Sequence, residues 1–159
     1  MEAPEAATLR SLLLRQPVAT LATLHKGKPA VSLVPFAMLP SGAGFVIHVS
    51  KLATHTNDML ESPAVALLVA ASLGETETPL ALPRASIQGR ARRCLPESSE
   101  FSEARTAYLA KLPEAEELFT FSDFSVFIIE PESVRFVAGF GRAMSLTAER
   151  MRAVLGPES

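Results

Sequence analysis

"VSLVPFAMLPSGAGFVIHVSKLATHTNDMLESPAVALLV", residues 31–69, decides the fold of this chain. It completes a β-rich run, "PAVSLVPFAML" (29–39), and then turns through "PSGAG" (40–44), whose residues tolerate tight backbone geometry. "FVIHV" (45–49) reads as a third strand. Small polar and basic side chains then crowd together: Ser50, Lys51, Thr54, His55, Thr56, Asn57 and Asp58, at the entry to a helix predicted from about Ala53 to Glu61. Pro63 opens "AVALLVAASL" (64–73), whose unbroken apolar character predicts a strand buried on both faces.

Upstream, Ala6, Leu9, Leu12 and Leu13 recur at helical spacing until Pro17, which predicts a short amphipathic helix over 4–15. "VATLATLH" (18–25), the turn "HKGK" and the run from 29 form a hairpin, and with 45–49 a three-stranded meander. Downstream, "GETETPLALP" (74–83) is an acidic loop. "RASIQGRARRCL" (84–95) sets Ala85, Ile87, Gly89 and Ala91 against polar residues, as in a strand with one wet face. Residues 96–119 read as a helix with Ser98 or Ser99 as cap, divided by Pro113. "SVFIIEP" (125–131) and "SVRFVAGF" (133–140) predict two strands joined by a tight turn at Pro131, followed by a short amphipathic tail. The order implies a mainly β (α+β) protein of about six to seven antiparallel strands with flanking helices, a closed or split barrel rather than a doubly wound sheet.

The 159 residues, 48% hydrophobic, are enough for one core, and a single domain spanning 1–159 is expected. A formal charge of −2 gives no basic footprint for nucleic acid or an anionic membrane. Arg90, Arg92 and Arg93 read as a solvated strand face. Cys94 is the single cysteine, so no intrachain disulfide forms, which fits a reducing cytoplasm. The first 17 residues lack a signal-peptide pattern, and no apolar run reaches the roughly 18 residues of a membrane helix. "GFGRA" (139–143) lacks the third glycine of a dinucleotide-binding loop.

An anion favours backbone N–H groups at a helix start, hydroxyl donors and converging cations, and residues 50–57 supply those types. The same residues also read as an ordinary helix entry, with Thr54 or Thr56 as cap and Lys51 in water. His48, between Ile47 and Val49, reads as a buried hydrogen-bonded histidine. Phe119, Phe121, Phe124 and Phe127 read as core or subunit interface.

The run 31–69, followed by "SIQGRAR" (86–92) and "ARTAYLAKLPEAEELFTFSDFSVFIIEPESVRFVAGFGRA" (104–143), resembles the pyridoxamine 5'-phosphate oxidase-related FMN-binding split barrels, and among them the heme-utilisation, HugZ-type branch. The resemblance covers roughly residues 8–146. It implies a split β-barrel homodimer with FMN at the subunit interface, and a flavin-dependent oxidoreductase acting on a small molecule. The alternative it leaves open is heme binding or utilisation on the same barrel. Residue by residue, it points to Ser50, Lys51, His55, Thr56 and Asn57 around the FMN phosphate, with Ser32, Arg84 and Gln88 as further contacts. "VRFVAGFGRA" (134–143) reads either as a barrel strand ending in glycines that permit close packing or as a segment that sets Arg142, or Phe140, beside the flavin ring or a substrate carboxylate. The chain departs from the pattern twice: Thr54 and His55 stand where better-known oxidases carry an arginine and a lysine, and no histidine follows "GFGRA" to serve as a C-terminal heme ligand. No pair of side chains makes a catalytic acid and base, and no protein-bound metal is implied.

Overall fold

The computed structural model describes residues 1–74 and 78–156; residues 75–77 of the expected acidic loop lie outside the described residues. Helix α1 (Ala3–Arg15) leads into β1 (Val18–His25) and β2 (Lys28–Pro35), then β3 (Ala37–Met38) and β4 (Phe45–Ser50). Helix α2 (Thr54–Glu61), β5 (Ala64–Ala70) and β6 (Arg84–Cys94) follow. Helix α3 (Ser99–Lys111) and a 3-10 segment (Pro113–Thr120) precede β7 (Phe124–Val137), β8 (Ala143–Thr147) and α4 (Ala148–Leu155). Among the described residues no helix is long and apolar enough to cross a membrane.

The eight strands form one curled antiparallel sheet in the order β2-β1-β5-β6-β7-β4-β3, with β8 paired to β7. The predicted hairpin is present. Lys26 and Gly27, at φ 51° and 77°, make the two-residue turn, and left-handed values at both positions match the twist of the strands they join. The meander is not present: β4 pairs with β3 and β7 instead of β2, because Phe36 and the 40–44 turn carry the chain to the other end of the sheet.

The two strands predicted around Pro131 are one 14-residue strand. Pro131 is tolerated because β7 bulges there: Gln88 pairs with Ser133 and Gly89 with Pro131, leaving Glu132 as the extra residue. Gly89 is required at that point, since a Cβ would collide with the carbonyl oxygen of Glu130. The length of β7 lets it hold β4 along Phe124–Ile129 and β8 along Ser133–Val137 on the same edge.

Two cores result. Phe45, Ile47, Phe127, Ile129, Leu21, Leu67 and Ile87 pack on one side of the sheet with Leu9 and Leu13 of α1 and Met151 of α4. On the other side, Val46, Val126 and Ile128 meet Ala104, Tyr108 and Leu112 on the shared face of α3. Strand β5 does not have two buried faces as predicted. Val65, Leu67 and Val69 point inward, whereas Ala64 and Leu68 are exposed.

Candidate functional site

The helix entry after β4 is built from backbone hydrogen bonds to two hydroxyl residues. Ser50 Oγ accepts from the Leu52 amide at 3.1 Å, and the Ser50 carbonyl accepts from the Ala53 amide and from Thr56 Oγ1, at 3.1 and 2.6 Å. Neither threonine caps α2. Its N-cap is Ala53, without a side-chain hydrogen bond, and Thr54 is exposed. The Thr56 proton is therefore already committed, while Ser50 retains a hydroxyl proton that it can donate.

Lys51, Thr56, Asn57, Arg93 and Ser125 line a small cavity of about 280 Å³ beside this turn. Arg93, expected from the sequence on a solvated strand face, is part of this lining. Its neighbour Arg92 is spent on structure, bonding Glu100 of α3 at 2.7 Å and Glu130 of β7, and these partners hold its pKa above the ordinary arginine value. Arg93 points to the other side of the strand and, like Lys51, has no ion pair among the described residues. Arg92 and Arg93 are adjacent and look alike in sequence, but the alternation of the strand gives them opposite faces and opposite roles.

The remaining predicted residues lie apart from this cradle within one chain. His55 does not line it; burial lowers the His55 pKa, partly offset by the charge of Asp58, so the ring favours its neutral form. Ser32 has a buried Oγ with no partner, on the face that pairs it with buried Leu21. Gln88 accepts from Ser133 on the outward side of the sheet, where it borders a shallow groove of about 610 Å³ with Ala22, Ala66 and Glu132. Arg84 donates to the Leu82 carbonyl at 2.9 Å. Arg142 pairs with Glu5 at 2.7 Å and Glu2 at 3.4 Å on α1, and Phe140 is exposed.

The histidines are equally distinct. His25 Nδ1 lies 2.7 Å from Oδ1 of buried Asp58, whose Oδ2 accepts from Thr23 at 3.0 Å, so this trio ties α2 to β1. Burial pushes the Asp58 carboxyl up, but the hydrogen bonds from His25 and Thr23 outweigh it and leave the pKa below the ordinary value. His48 is buried as expected, yet its Nδ1 has no hydrogen-bond partner.

This combination of long bulged β7, inserted α3 and a polar α2 entry can be compared with known proteins. The pyridoxamine 5'-phosphate oxidase family matches residues 6–138. The chain belongs to that family. A split-barrel member described as a heme-binding protein from Mycobacterium smegmatis superposes with a TM-score of 0.84 at 33% identity, covering 96% of this chain and 62% of that one. The chloroplastic heme oxygenase HOZ of Arabidopsis thaliana is 37% identical over 126 residues, 79% of this chain and 37% of HOZ. The chain thus spans less than two thirds of both relatives. HutZ of Vibrio cholerae, at 23% identity and a TM-score of 0.66, shares the fold, with 82% of this chain and 89% of HutZ covered. The eight-stranded sheet is accordingly a split barrel near the heme-utilisation branch of the family.

Proposed function

We propose that this chain is a heme-binding split barrel that acts as a homodimer and holds an acidic edge of the macrocycle on Lys51 and Arg93. The observation that carries the reading is the convergence of these two unpaired cations, with Asn57 and Ser125, on one small cavity. Two charge-assisted donors suit a carboxylate, and the hydroxyl and amide can complete its hydrogen bonding. Similarity favours heme as the bearer of that acid, since the Mycobacterium smegmatis and Arabidopsis thaliana relatives carry heme in their descriptions.

Heme, when bound, supplies the redox chemistry of its iron. The chain's own residues position and neutralise. Among the three histidines, His25 combines a half-exposed ring with a carboxylate partner, the arrangement that fixes a metal-ligating imidazole and raises its basicity. The second copy would cover the outward face of β1, β2 and β5, where Val31 and Leu33 are 74% and 67% exposed and Leu68 39%. Apolar side chains in one contiguous patch on a sheet mark an interaction surface.

A second reading, FMN, is supported by the family and by the modest size of the cradle, which suits a phosphate. Against it stands His55, where burial favours a neutral ring at the helix entry rather than a firm cation. Visible spectra separate the two. Titration of the purified protein with hemin is expected to give a saturable Soret band, shifted in His25→Ala and weakened about tenfold or more in Lys51→Gln and Arg93→Gln, the cost of losing a charged hydrogen bond. Tight co-purifying flavin with no saturable hemin binding would replace the heme reading with the FMN one.

A further inference from the structure

A second cavity, of about 330 Å³, adjoins the cradle and shares Lys51, Arg93 and Ser125 with it. The insertion between β6 and β7 builds its wall: Phe101 comes from α3, Phe119 from the 3-10 segment, and Phe121 and Phe124 from the return into β7. His48 of β4 completes the aromatic lining. Its ring stacks on Phe119 with centroids 3.9 Å apart and planes 11° from parallel, and Phe124 stands 5.2 Å away.

Three observations separate this space from an ordinary core. Phe101, Phe119, Phe121 and Phe124 line a cleft that opens to solvent between exposed Lys51, Arg93 and Phe121, so a ligand can reach the rings. His48 is only 8% exposed, and its Nδ1 is buried without a partner. Burial lowers the His48 pKa to about 4, so the ring is a neutral aromatic surface, and the positive charge of the lining belongs to Lys51 and Arg93. Among the described residues no carboxylate lines the cavity to neutralise them.

We propose that this cavity is a second ligand site, taking a small aromatic carboxylate of one or two fused rings, with its acid on Lys51 and Arg93 and its ring among the phenylalanines and His48. The volume lies at the low end of the range of about 300–1,000 Å³ for ligand pockets, which admits such a ring system and excludes a macrocycle. Aromatic stacking and a charge-assisted pair of bonds together specify both ends of the ligand. The inference rests on the heme reading only through the two shared cations.

The chain carries its own reporter. It has one tyrosine and no tryptophan, and Tyr108 stands 6.0 Å from both His48 and Phe119, centroid to centroid. Titrating the full chain with 2-naphthoate is expected to quench tyrosine fluorescence saturably, at least tenfold more tightly than its uncharged twin 2-naphthamide. That preference should collapse in Arg93→Gln. Phe121→Ala, at a 45% exposed wall residue, should keep the wild-type circular dichroism spectrum and weaken both probes while leaving the hemin titration unchanged. Absence of saturable quenching, equal affinity for acid and amide, or an acid preference that survives Arg93→Gln would overturn the proposal. Loss of hemin binding in Phe121→Ala would overturn the separation of the two sites. Naphthoate binding in a protein that ignores hemin would remove the heme reading and leave this one standing.

Discussion

The two halves of the sheet contain similar apolar strands and treat them differently. In the β4–β7 half both faces are covered: Phe45, Ile47, Phe127 and Ile129 meet the α1–α4 side, and Val46, Val126 and Ile128 meet α3. In the β1–β2–β5 half only the inward face is covered. Its outward face presents rows that run across three strands, Leu33–Thr20–Leu68 and Val31–Ala22–Ala66. The difference comes from one insertion. The segment between β6 and β7 supplies a helix to one half and nothing to the other, and the same segment walls the aromatic cleft beside the cationic pair.

The largest effect should come from the uncovered half. If a second copy covers it, Val31→Glu combined with Leu33→Glu places two charges from each copy in an apolar interface, and sedimentation should show a dimer converted entirely to monomer with the fold retained. A wild-type monomer would break the comparison, because the outward face would then be stable in water. The twice-covered half offers the next effect. Phe127→Ala, at 1% exposure between β6 and β4, should cost about 3–5 kcal/mol in denaturant unfolding, as large-to-small core changes do. Leu68→Ala, measured on the dissociated double variant, should cost well under about 1 kcal/mol, since its side chain is half in water.

A smaller effect is pH-dependent and also belongs to the covered half. His48 titrates at about 4 in the fold against 6.5 unfolded, with burial as the cause. Below pH 6.5 the unfolded chain takes up a proton that the folded chain refuses, so stability is complete above 6.5 and is lost as pH falls toward 4. The shift corresponds to a few kcal/mol at most, and solvent screening of the ring reduces the expectation to about 2 kcal/mol. His48→Phe should flatten that part of the pH–stability curve. An unchanged slope would assign it to other groups.

The covered and uncovered halves were not equally legible from sequence. The hairpin 18–35 was plain, because a two-residue turn and alternating strands are local signals. Strand β5 was not. "AVALLVA" is apolar on both faces whether its cover is a helix or another copy, and periodicity cannot tell which. Pro131 argued for a break because proline lacks an N–H to donate, and the bulge that accommodates it depends on Gly89, a residue 42 positions earlier on another strand. At the site, Lys51, Thr56 and Asn57 were named because they cluster in sequence. The place of Arg93 beside them is not legible in sequence, because it is made by β6 pairing with β7, a long-range fact. The free hydroxyl donors expected there were overcounted, since the Thr56 proton closes the turn itself.

Helix α2 lies between the two halves, and its anchor gives the smallest and most specific test. Met59 reaches the main core, but the tie to β1 is polar: Thr23 and His25 both bond Asp58. Thr23→Val keeps the shape and removes one donor, so the expected cost is about 1 kcal/mol. The sign of its pH dependence follows from Asp58, whose folded pKa is below the ordinary value of 3.8. A carboxylate with a depressed folded pKa stabilises the fold above its unfolded pKa and ceases to as pH falls through the folded one. The gap between Thr23→Val and wild type should therefore be constant near neutrality and narrow only below pH 3.8, well clear of the His48 window that begins at 6.5. Two windows that coincided would mean that α2 and the aromatic cavity unfold as one titrating unit. Two separate windows, the first absent in His48→Phe and the second reduced in Thr23→Val, would place each charge in its own half of the sheet.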